Sequence, residues 1–253
     1  MDVAAFNKRF EPVKAKYRRT AYLPRLGAGN RWTHFGGSPL MFPGEAWPAC
    51  QQCHRPMIFL LELELSALPR RPPGDGLLQL FFCNDEDGRC DTWSAFSGAQ
   101  FVRIASGALT RRPIPPGVTT QADRSIVGWD AVEDFPSLEE HKALGLQFDL
   151  DYRKNKVRIR CPEIGFDESD LEMDKASPDV LVPTQPQSKL FGWPFWVQRP
   201  EYPDCPKCGR RMDVIVQLAS HRGVEIMFGD AGIGHISQCA DHPHVLAFGW
   251  ASG

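Results

Sequence analysis

The sequence predicts an α+β protein, built mostly of antiparallel β-sheet with a few helices and arranged as two pseudo-repeated, internally duplicated halves. Three observations predict it. The pairs Cys50–Cys53 and Cys205–Cys208 are each C-x2-C and lie 155 residues apart, and the same offset carries Gly37 onto Gly192, Pro39 onto Pro194, Pro48 onto Pro203 and Met57 onto Met212. Short apolar runs follow each pair: Met57–Leu61 and Leu77–Phe82 in the first half, Val214–Leu218 and Ile233–Gln238 in the second. Gly and Pro number 22 each, so turns are frequent and elements short. A motif repeated without a gap points to duplication rather than chance.

Residues 2–19 are expected to form a helix. Phe6, Phe10, Val13 and Tyr17 recur at helical spacing, with Lys8, Arg9, Lys14, Lys16, Arg18 and Arg19 on the other face. Pro12 should break this segment or open a second turn. Phe59–Leu65 ends in strict alternation, which predicts a strand with one polar face. Leu77–Phe82 reads as a more buried antiparallel partner across the turn-rich stretch Pro69–Asp75, and Gln100–Ala105 and Ser125–Gly128 as further short strands. Phe135–Leu144 carries a helix start, with Ser137 as cap and Glu139 and Glu140 in the first turn. A basic block (Arg153–Arg160) then precedes an acidic one (Glu163–Asp174), a pattern of mutually neutralising surface. Asp174–Lys189 reads as loop or linker. Asp213–Leu218, Gly234–Gln238 and Val245–Trp250 are expected strands, and Gly229–Gly232 a tight turn. The organisation is thus an N-terminal helical segment (1–32), a first repeat (33–106), a connecting segment (107–189) and a second repeat (190–253), all in one compact unit.

The cysteines carry the chemistry. Zinc takes four thiolate or imidazole ligands in a tetrahedron. The first half supplies Cys50, Cys53, Cys83 and Cys90; the second supplies Cys205, Cys208, Cys239 and either His242 or His244. Cys83 follows Cys53 by 30 positions and Cys239 follows Cys208 by 31. One or two structural zinc ions are expected. The two pairs joining in one shared site, or redox use of Cys-Pro-Lys-Cys, are the alternatives, although the thioredoxin-like βαβ context is missing. Cys161 has no counterpart and is expected as a buried apolar residue. Closed thiolate-rich sites leave no open coordination position for catalysis.

Composition bounds the rest. Net charge is −2, hydrophobic content 42% and charged content 24%, the profile of an ordinary globular protein with no global pull toward nucleic acid or membrane. The N-terminal run lacks the apolar core of a signal peptide, so a cytoplasmic, reducing location is expected. No G-x-S-x-G, Walker loop, H-E-x-x-H or dinucleotide fingerprint is present.

The combined pattern resembles the YwqG-like family, a domain of unknown function. The resemblance rests on Gly36–Pro39, Trp47–Cys50 with Cys53, Pro56–Leu60, Gly76–Phe82, Phe191–Pro194, Cys205–Cys208, Gln217 and Gly229–Gly232. It spans about residue 20 to the end. The family usually has Gln where this chain has Glu62, and many members lack the cysteines. The wider group includes programmed-cell-death-2-like proteins, which chaperone a ribosomal protein, and bacterial relatives often lie near polymorphic-toxin genes. The resemblance therefore implies a non-enzymatic protein-interaction role, chaperone-like or immunity-type, with Glu62, Gln217, Asp230 and Trp193 as candidate partner contacts. RNA binding or processing is the alternative, on the strength of the basic segments and the tryptophans. A small-molecule sensor with its ligand between the halves is a third.

Overall fold

The computed structural model describes residues 3–29, 32–85, 87–220 and 227–253. Among these the chain is mostly antiparallel β-sheet with few helices. Helix α1 is Val3–Tyr17; Asp2, the first residue of the expected span, lies outside the described residues. Its stripe of Phe6, Phe10, Val13 and Tyr17 is buried, as the spacing predicts. Pro12 does not break it. An interior proline costs about 3 kcal/mol, and burying four large side chains at roughly 1.5–3 kcal/mol each outweighs that. Half of the basic residues on and just after the helix meet carboxylates: Arg9 meets Glu168, Lys16 meets Glu163, and Arg18 meets Glu11 and Glu133.

The strands in chain order are β1 (Arg19–Leu26), β2 (His34–Phe35), β3 (Leu40–Met41), β4 (Ile58–Glu64), β5 (Leu77–Phe82), β6 (Gln100–Ala105), β7 (Thr110–Arg111), β8 (Arg124–Asp134), β9 (Gln147–Asp151), β10 (Lys156–Cys161), β11 (Phe166–Glu172), β12 (Lys189–Phe191), β13 (Asp213–Ala219), β14 (Ile233–Gln238) and β15 (Leu246–Ala251). Ten of them form one sheet in the order β15-β14-β13-β12-β1-β8-β2-β4-β5-β6. The long pair β1–β8 is its spine. Edge strand β15 comes back beside β6, so the sheet is nearly closed.

Four further expectations change. The strand over Phe59–Leu65 has no solvated face: Ile58–Leu63 are all buried, with Leu61 and Leu63 in one apolar cluster, Phe59 in another, and the polar Glu62 turned onto internal donors. Ser125–Gly128 is only the start of an 11-residue strand, β8. The stretch Asp174–Lys189 is not plain loop. It takes up the end of helix α3 (Met173–Ala176) and helix α4 (Pro178–Leu181), and it ends on Lys189, whose Nζ lies 2.8 Å from Asp134 with both side chains shut off from solvent. Helix α2 (Leu138–His141) does start after Ser137, but the Ser137 side chain makes no capping bond.

The interior is divided. Leu60, Leu61, Leu78 and Leu80 pack in one cluster with Val216, Leu218, Ile236 and Phe248, so residues before 106 and after 190 share a core. A second cluster joins α1 to the sheet β9-β10-β11, where Cys161 is buried at 0% exposure and touches the Tyr17 hydroxyl. In that sheet Arg158 pairs with Asp167, the neutralisation that the adjacent charge blocks imply, while Arg160 pairs with Asp149 on β9, outside the acidic block. No helix among the described residues is long and apolar enough to cross a membrane.

Candidate metal centres

Each C-x2-C pair sits on a tight turn closed by its own backbone. In the first, Cys50 N–H donates to Arg55 O and His54 N–H to Cys50 O, both at 2.9 Å. In the second, Cys205 N–H donates to Arg210 O and Gly209 N–H to Cys205 O, both at 2.8 Å. The turn needs a left-handed residue one position after the second cysteine. Gly209 (φ 69°) supplies it without strain; His54 (φ 60°) adopts it against its Cβ. The flanks are pinned alike, by Met57 N–H to Pro48 O and Met212 N–H to Pro203 O, each at 2.9 Å.

Strand β5 ends at Phe82 and delivers Cys83; the loop beyond it brings Cys90. The Sγ atoms of Cys50, Cys53, Cys83 and Cys90 all lie within 4.8 Å of one another. Cys50 is 3.8 Å from Cys90 and Cys53 is 3.7 Å from Cys83. In the same way β14 ends at Gln238 and delivers Cys239, which joins Cys205, Cys208 and the Nδ1 atom of His242. Here Cys208–Cys239 is 3.7 Å, Cys205–His242 3.7 Å and Cys239–His242 3.6 Å. A tetrahedral metal with bonds of about 2.3 Å to sulfur and about 2.0 Å to nitrogen has edges of about 3.8 Å and about 3.6 Å. A disulfide would need about 2.05 Å, and all eight cysteines are free. The pairs form two separate sets rather than one shared set, and the histidine in the second is His242; His244 is exposed and outside it.

The electrostatics of the first set ready one thiol for ionisation and hold two others neutral. The guanidinium of Arg55 donates to Cys53 Sγ at 3.5 Å and lowers that thiol's pKa to about 6. Burial pushes the Cys90 thiol up to about 12 and the Cys83 thiol above its ordinary range. Four adjacent thiols cannot all ionise in a buried place unless a metal compensates them. Arg55 is itself paired with Asp85, whose carboxylate accepts the Cys90 N–H. Neither Arg55 nor Asp85 stands out in the sequence; their positions two residues after Cys53 and Cys83 are the available signal. Met57, Phe59 and Phe81 wall the first set, and Met212, Ala247 and Val245 the second.

The expected partner contacts lie elsewhere, and three of the four are internal. Glu62 is 0% exposed and accepts the Leu40 N–H at 2.9 Å and the Gln79 amide at 2.6 Å, with His34 at 3.3 Å and Arg111 at 3.7 Å. Gln217 is 1% exposed; its Oε1 accepts the Phe195 N–H at 2.7 Å and its amide donates to Gln185 O and Gln187 O. Trp193 is buried, with its indole N–H on Tyr17 O at 2.6 Å. A tightly buried side chain that is spent on internal bonds cannot face a partner. Asp230 alone is exposed, in the turn where Gly232 N–H reaches Phe228 O at 2.8 Å.

The chain matches the family described as a domain of unknown function (DUF1963) over residues 33–237, in keeping with the YwqG-like resemblance. No curated protein matches it.

Proposed function

The chain belongs to the DUF1963 family, and from that premise we propose that it is a non-enzymatic, zinc-binding protein-interaction module made of two duplicated halves. The observation that carries this reading is the pair of four-ligand sets at tetrahedral spacing. One set of four thiolates and one of three thiolates with an imidazole both suit zinc. Both sets are complete, so neither leaves a coordination position for substrate. Each ties a C-x2-C turn to the end of a strand and acts as a local staple.

Duplication is supported by correspondences beyond the cysteines. An offset of 155 lays β4 on β13, and 156 lays β5 on β14, end for end. The strand order β2-β4-β5-β6 is mirrored by β12-β13-β14-β15 about the β1–β8 spine. The buried bond Leu40 N–H to Glu62 has its counterpart in Phe195 N–H to Gln217, again 155 residues on.

Protein binding is supported by exposed aromatics beside the first metal set: Trp93 is 51% exposed, Phe96 49% and Phe101 37%. Exposed rings of this kind, all within 11 residues of Cys90 in the sequence, favour a protein surface. RNA binding draws less support, because Arg158, Arg160, Arg9 and Lys16 already face carboxylates. Eight free thiols favour a reducing, cytoplasmic setting.

Elemental analysis of protein purified without added metal tests the metal half of the proposal. About two zinc per chain is the expected result; none overturns it. Affinity capture with wild type and with a Trp93→Ala/Phe96→Ala variant tests the other half. A stoichiometric protein lost in the variant supports it. Recovery of RNA with a steep salt dependence would replace it.

A further inference from the structure

A cleft of about 390 Å³ opens where the loop between β4 and β5 lies over the ends of β13 and β14. Its walls carry four guanidinium groups, Arg19, Arg70, Arg71 and Arg211, against one carboxylate, Asp213. This is a local excess of positive charge on a chain whose net charge is −2. The arginines come from both parts of the chain, 70 and 71 from the first loop and 211 from beside the second C-x2-C turn.

Three of these groups are held in place by aromatic rings. Arg19 lies 3.4 Å over Trp193, Arg211 4.0 Å over Tyr202 and Arg70 4.6 Å over Phe191. Stacking occupies the face of a guanidinium and leaves its N–H edge free to bind. Arg71 pairs with Asp75. Arg19, Arg70 and Arg211 have no carboxylate within ion-pair distance among the described residues; Arg19 spends one N–H on Gly192 O at 3.3 Å. Asp213 and the buried Glu140 act on these arginines from a distance but pair with none of them, so the neighbouring cations still repel one another, and a bound anion lowers that cost. Desolvation lowers the Arg19 pKa, the mark of a cation partly stripped of water. Gln238, another wall residue and only 2% exposed, adds a second kind of clue. Its amide N–H2 donates to Pro73 O and Pro243 O, which fixes the flip, and its Oε1 is buried with no donor.

We propose that this cleft binds a small phosphate-bearing anion, with the edges of Arg19, Arg70 and Arg211 on its oxygens and a ligand hydroxyl or phosphate O–H donating to Gln238 Oε1. The volume is that of a small-molecule site. Planar guanidinium edges suit phosphate oxygens. The site shares no residue with either metal set, although Gln238 and Ala240 in its wall flank Cys239 of the second, which is why the test uses the zinc-loaded chain.

Titration calorimetry with inorganic pyrophosphate, at about 150 mM salt so that diffuse attraction is screened, tests the proposal on the full zinc-loaded chain. The expected result is saturable binding of one pyrophosphate per chain. Arg70→Ala, on an exposed loop, and Arg211→Ala each raise Kd at least tenfold with melting temperature unchanged. Arg153→Ala, an exposed arginine between β9 and β10 and not part of the cleft wall, leaves Kd unchanged. Absence of saturable binding, or equal loss in all three variants, overturns the proposal. So does a hexaglutamate peptide binding where pyrophosphate does not, since the cleft would then read an acidic segment of another protein.

Discussion

Replacing Cys50 or Cys205 by Ser removes one of four ligands from one set while leaving a side chain of nearly the same size. Structural zinc contributes about 10–16 kcal/mol in small zinc-binding folds, so one ligand of four is worth about 3 kcal/mol. For a chain of this size about 1 kcal/mol shifts the melting temperature by roughly 2–4 °C, which places each variant about 6–12 °C below wild type. Both residues are buried at 1% exposure, and each set is built on one turn and one strand end, so the two variants should lose similar amounts. Scanning calorimetry together with zinc content reads the result. Each variant is expected to keep about one zinc, and Cys161→Ala, which alters a buried cysteine outside either set, to keep both. If Cys50→Ser melts no lower than Cys161→Ala, or retains full zinc, the first set is not a structural metal site and the staple argument fails. The same outcome for Cys205→Ser would remove the second.

Other expectations are checked by equilibrium unfolding. Glu62→Gln should cost up to about 2 kcal/mol, because Leu40 N–H, the Gln79 amide and Arg111 all point donors at this carboxylate and His34 Nε2, whose partner nitrogen lies on Gly36 O, is the one acceptor a glutamine N–H2 could find; a neutral result would mean that the N–H2 settles on His34 or that the network rearranges freely. His54→Gly should be neutral or stabilising by up to about 1 kcal/mol, since it gives the first turn the residue that the second already has at its left-handed position. A clear loss would show that the His54 side chain contributes to the site. His235 is buried and its pKa is pushed down to about 3, first by desolvation and then by Lys189. The unfolded chain takes up this proton below about pH 6.5 and the folded chain does not until about pH 3, so the native state binds fewer protons across that window. Stability attributable to this residue is therefore present above pH 6.5 and falls with acidification by up to about 1.4 kcal/mol per pH unit. His235→Gln should show a shallower acid slope than wild type at equal zinc loading, and an unchanged slope would refute the assignment.

The contrast between Glu62 and Gln217 shows how far the sequence goes. The offset of 155 places them in equivalent frames, and the alternation around Glu62 reads as a solvated face. Both are instead sealed inside the sheet. Alternation cannot distinguish a polar residue facing water from one facing buried donors, and the donors here come from residues 22, 17 and 49 positions away. Glu fits the first frame because Gln79 and Arg111 offer donors; Gln fits the second because Gln185 and Gln187 offer carbonyls.

The ligand sets were largely legible, because a C-x2-C turn and a cysteine at the end of the second strand after it recur at matching spacing in the two parts of the chain. The choice of His242 over His244 was not, since two residues of separation in a loop leave both within reach until the backbone path is fixed. By itself the sequence determined the helix stripe of α1, the strands after each C-x2-C pair, the ligand candidates and the family. Only the tertiary structure decided that β1 and β8 join the two ends into one nearly closed sheet, that the two halves share a core, and that Arg19, Arg70 and Arg211 converge on one cleft. Local periodicity and spacing act within a few residues along the chain; strand order, burial of polar groups and the meeting of distant charges depend on contacts between segments that the sequence separates widely.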